Sequence, residues 1–173
     1  MNNSRSRHSY RLWLPGLLLL SLTGFFPRVV TANSLKATPQ LVVSNFLTAE
    51  VITSLTVQTG DKFTIRYIHS VDGTPIFEEF RLDQKRGLVL EKTWFKMFGA
   101  GLGQWPGHGH LSQDKEWITI DNIEQPLGSF ILRIGAPSVG HTIIYHEQEI
   151  NLSRIASGVR ALVEFKRQEI CGE

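Results

Sequence analysis

Short runs in which apolar and polar residues alternate recur along most of this chain, with turn residues between them. That period of two constrains the fold more than any other feature. The clearest run is 62–69, where Phe63, Ile65, Tyr67 and His69 share one face while Thr64, Arg66 and Ile68 share the other. Ile76, Glu78, Phe80 and Leu82 repeat the pattern, and Val159, Ala161, Val163 and Phe165 close the series. Further strands are expected at 41–43, 51–57, 88–98, 116–120, 129–134 and 141–146. Thr59-Gly60-Asp61, Asp72-Gly73 and Arg86-Gly87 carry turn chemistry. Leu152, Ile155 and Ala156 are spaced as one helical turn that Gly158 would stop. Residues 99–115 hold several glycines, Pro106 and no strand period, and read as a long loop. The pattern predicts an all-β domain, a two-sheet antiparallel β-sandwich.

The N-terminus is built differently. Arg5, Arg7, His8 and Arg11 give a basic start, residues 12–27 carry no charge, and Val30-Thr31-Ala32 places modest side chains where a signal peptidase cuts. The apolar core falls short of the roughly 20 residues of a comfortable membrane span. The expected organisation is a signal peptide over 1–32, a tether over 33–39 and one sandwich domain over 40–173, with an uncleaved membrane anchor as the alternative. This places the domain in the periplasm or at the cell exterior. Four of the 18 Lys and Arg residues, and none of the 16 Asp and Glu, lie in the leader; the remainder carries 14 positive and 16 negative groups, a net of −2. A mature chain of that charge, without a basic cluster, does not suit nucleic-acid binding. Its one cysteine, Cys171, allows no intramolecular disulfide, so packing alone holds the fold.

Two places carry residues suited to chemistry. His69 and Glu78 each interrupt an apolar strand face, and a hairpin with a six-residue loop over 70–75 would bring them together. Ser70 sits beside His69 without a Gly-x-Ser-x-Gly elbow. Gly107-His108-Gly109-His110 holds two imidazoles at a spacing that suits a metal on extended backbone. Small cupin-type barrels use such a pair with a Glu and a later His. Glu116 and His141 stand near those places, but the spacings do not fit, and no metal or other cofactor is expected.

The string Tyr67-Ile68-His69-Ser70-Val71, then Thr74-Pro75, Glu78 and Phe98-Gly99-Ala100-Gly101-Leu102, resembles the bacterial family called domain of unknown function 1850. The resemblance implies a small exported β protein whose gene tends to sit beside tripartite, TAXI-type TRAP solute transporters. It implies no activity. The matching residues define one candidate place, with Tyr67, His69, Ser70 and Glu78 on the hairpin and the backbone of Gly99, Ala100 and Gly101 near it. Backbone N–H groups, an imidazole and hydroxyls together would suit a small organic anion. The expected function is a non-enzymatic exported accessory or small-ligand-binding module working with the transporter or its binding protein. The alternatives are a metal-dependent cupin-like enzyme using His108 and His110, a hydrolase built on His69, Ser70 and Glu78, and a structural envelope protein.

Overall fold

The computed structural model describes residues 38–97 and 108–166. Among them run β1 (Gln40–Asn45), β2 (Val51–Thr56), β3 (Lys62–Ile68), β4 (Pro75–Asp83), β5 (Gly87–Phe95), β6 (His110–Gln113), β7 (Ile118–Asp121), β8 (Gln125–Arg133), β9 (Thr142–Tyr145) and β10 (Gln148–Asn151). A helical turn, α1 (Leu152–Ile155), and β11 (Arg160–Lys166) complete the order. The strands pair antiparallel as β10-β9-β3-β4-β5-β8-β11-β1-β2, with β7 on the other end of β5 and β6 on β7. The architecture is the antiparallel sandwich that the alternation predicts, made by curling one sheet until its two parts face each other.

The curl is local. Val89 and Leu90 of β5 pair with Pro126 and Gln125, whereas Ser129–Arg133 of the same β8 strand pair with β11. The change of partner falls at Gly128, which has φ +68° and faces Gly87, at φ +74°. A Cβ on Gly87 would lie 2.3 Å from the Gly128 carbonyl oxygen, so backbone meets backbone there and no side chain fits.

The alternating faces become the core. Leu41 and Val43 of β1 and Ala161, Val163 and Phe165 of β11 pack with Phe63, Ile65, Phe80, Leu82 and Leu88 of the opposing layer. Phe80 stacks on Phe63 at 5.2 Å and on Phe130 of β8 at 5.1 Å, tying the layers together. A second buried cluster, Ile76, Phe95, Ile118, Ile120 and Ile123, lies under β7. Tyr67 packs against both clusters and marks the seam between them.

The outer face pairs its charges. Arg81 binds Glu91, Asp83 and Glu124, and Lys62 reaches Glu79 at 3.1 Å and Glu91 at 2.7 Å. Phe77 stacks on Trp94 at 5.0 Å and Lys92 lies over the Trp94 ring, which occupies those aromatic faces within the protein.

Two strands depart from the expectation. β6 begins at His110, inside the expected loop, and all four of its residues are exposed. An edge strand with no buried face has no alternation to read. β10 was likewise invisible, because Gln148-Glu149-Ile150-Asn151 is polar. The expected helical turn is present: the Asn151 side chain caps it by accepting the Arg154 N–H at 3.0 Å, and Gly158 follows at φ +81°. The leader, most of the tether and Cys171 lie outside the described residues.

Candidate functional site

The inner face of the larger layer is organised in rows across neighbouring strands. One row runs Ile143, Ile65, Glu78, Thr93, Ile120 through successive pairings. The three isoleucines are at most 2 % exposed and Thr93 is 7 % exposed, so Glu78 is an acid set into an aliphatic row. Thr93 cannot help it, because its hydroxyl donates to the Phe77 carbonyl at 3.0 Å. The next row holds Tyr67, Ile76, Phe95 and Ile118. The Tyr67 hydroxyl leans back to Glu78 and donates to Oε1 at 3.4 Å, near the long limit for such a bond.

This register corrects the expected His69–Glu78 pair. Glu78 lies opposite Ile65, so His69, one residue past the end of β3, is four residues further along the chain, about 13 Å away at strand spacing. The expected six-residue loop would have set His69 opposite Ile76. The hairpin closes earlier, with the His69 N–H donating to the Thr74 carbonyl at 2.9 Å. Asp72 causes this: its Oδ1 accepts both the Thr74 N–H and the Thr74 hydroxyl, each at 2.9 Å, and Gly73 takes φ +69° to complete the turn. Those donors, the Thr74 N–H foremost, hold the Asp72 carboxyl below its ordinary pKa.

His69 therefore has Asp72 as its carboxylate neighbour, with Nδ1 at 3.2 Å from Oδ1. That nitrogen is fully buried and lies off the line of an aligned hydrogen bond, so the contact is one of proximity. Ser70 is exposed. A hydrolytic arrangement of His69, Ser70 and Glu78 is not brought together.

The structure adds a residue that the strand pattern did not single out as part of this place. His141, 8 % exposed, stacks on Tyr67 with ring centroids 5.2 Å apart. Its backbone is clamped by α1: the Leu152 N–H donates to its carbonyl at 2.8 Å, and its own N–H donates to Ser153 Oγ at 2.9 Å. Its Nδ1 accepts the Gly135 N–H at 3.0 Å, which assigns the ring proton to Nε2 in the neutral form. The sequence signal was a histidine opening a β-branched strand; its partner, Tyr67, is remote in the chain.

Burial sets the electrostatics. It raises the Glu78 carboxyl above its ordinary pKa, and the Tyr67 hydrogen bond offsets only part of that. It raises the Tyr67 phenol, with the Glu78 charge adding to the effect, and it lowers His141. The seam thus presents an undercompensated carboxyl, a protonated phenol and a neutral imidazole. Tyr67, His69 and Glu78 each keep some accessible surface.

Gly99, Ala100 and Gly101 lie outside the described residues. His108 and His110 are exposed, and His110 Nδ1 stands 3.7 Å from Asp121 Oδ1. Among the described residues no group of three or more His, Cys, Asp or Glu is arranged to hold a metal ion. A family described as a domain of unknown function (DUF1850) matches residues 63–152, a span that contains Tyr67, His69, Ser70, Glu78 and His141. No curated protein and no solved structure matches the chain.

Proposed function

Since the chain belongs to the DUF1850 family, we propose that it is an exported module that binds a small organic ligand at the Tyr67–Glu78–His141 seam and serves a tripartite, TAXI-type solute transporter. The observation that carries the binding part is Glu78. A carboxyl set among isoleucines, with one long hydrogen bond from Tyr67, costs stability that a purely structural core would avoid. A desolvated carboxyl with an unmet bonding capacity marks a candidate binding site. The basic, apolar and small-residue sections of the first 32 residues support export. The transporter part rests on the gene neighbourhood that the resemblance implies.

The test is uptake. In cells that carry the transporter and lack this chain, uptake of the transporter's solute should fall, and the intact gene should restore it. A Glu78→Gln protein that is exported and folded should not restore it. Uptake unaffected by loss of the chain would leave the structural envelope reading in its place. Restoration by Glu78→Gln would remove the site.

A further inference from the structure

Resting on the binding reading above, we propose that the ligand carries a positively charged nitrogen, an alkylammonium group, and that this group seats against the Glu78 carboxylate. The argument is one of unmet valence and sign. An ionised carboxylate accepts up to about four hydrogen bonds. Among the described residues Glu78 has one, the 3.4 Å bond from Tyr67. Its neighbours across the sheet, Ile65 and Thr93, offer a hydrocarbon and a hydroxyl already given to Phe77.

The contrast with the outer face is direct. Glu79, the next residue, meets Lys62 at 3.1 Å, and Glu149 meets Arg66 at 3.0 Å. Glu78 makes no salt bridge among the described residues, so its missing partner is a cation that those residues do not supply. The other ionisable groups nearby do not change the sign. His141 is held neutral by burial, Tyr67 stays protonated, and His69 stands beside Asp72. A small organic anion, the ligand expected from the glycine backbone donors, would approach the Glu78 carboxyl, which no Lys or Arg among the described residues pairs. An ammonium group finds the opposite: a carboxylate acceptor at one end and the stacked Tyr67 and His141 rings, 5.2 Å apart, as a wall for its alkyl part.

Propylammonium, propionate and propanamide serve as probes of equal size and different charge. Each is titrated into the protein while the side-chain carboxyl carbon of Glu78 is followed by NMR and the melting temperature is recorded. Propylammonium should give a saturable shift of the Glu78 resonance and raise the melting temperature, and propionate and propanamide should do neither. Glu78→Gln should lose the thermal shift. If propionate or propanamide produces the response and propylammonium does not, the binding site stands and the cation assignment falls. If none of the three moves the Glu78 resonance, the ligand-site reading falls with it.

Discussion

At Glu78 and His141 the same burial acts in opposite directions, and each residue should leave its own trace in stability against pH. The folded-state pKa of Glu78 is raised from its ordinary 4.5. Its favourable contribution is complete below that value and is lost as pH rises through the folded pKa. Glu78→Gln imitates the neutral form, so its melting temperature relative to wild type should climb as pH rises above about 4.5 and then level off. A difference that is flat across that range would show that Glu78 is not desolvated. The folded-state pKa of His141 is lowered from 6.5, so its contribution is complete above 6.5 and is lost as pH falls through the folded value. His141→Asn can keep the Gly135 N–H bond through Oδ1 and should remove that part of the acid-side loss. An unchanged acid limb in thermal melts would contradict it. Tyr67→Phe strips Glu78 of its hydrogen bond and should cost about 1–3 kcal/mol in urea unfolding where Glu78 is ionised.

The elements owe their positions to a few backbone contacts. At the corner, Gly87 and Gly128 both have positive φ, yet they differ in surroundings: a Cβ on Gly128 meets nothing nearer than the Arg86 carbonyl oxygen at 3.9 Å, while one on Gly87 falls at 2.3 Å from a carbonyl. Gly128→Ala should therefore cost only conformational strain, about 1–2 kcal/mol. Gly87→Ala should cost more than about 3 kcal/mol, or prevent folding, because β5 and β8 must separate. Equal losses in denaturant titrations would mean that the close approach does not set the corner. The same distinction explains what could be read in advance. β3, β4 and β11 have one buried face each, and their period of two was visible. β6 has none, and it became a strand by pairing with β7.

Over the whole molecule, the chain relies on packing. Two apolar clusters meet at Tyr67, and the polar seam sits at their junction, where an acid disturbs neither core completely. No helix among the described residues is long and apolar enough to cross a membrane. The proposed export rests on the basic, apolar and small-residue sections of the N-terminal segment, and on that proposal protein from the envelope fraction should begin at or near Asn33. An intact Met1 in the cytosol would refute export, and an intact N-terminus in the membrane would favour the uncleaved anchor.

The alternation of side chains by itself determined the all-β class, most strands and the unusual placing of Glu78 on an apolar face, because a period of two is written residue by residue. The tertiary structure decided which residues meet. Asp72 shortened the hairpin loop and moved His69 away from Glu78, through hydrogen bonds that the run of apolar residues does not encode. Tyr67 and His141 came together because β3 pairs with β9 and α1 clamps the start of β9, contacts between segments remote in the chain. Facing was set by local sterics, whereas register and neighbourhood depended on long-range pairing that no single segment contains.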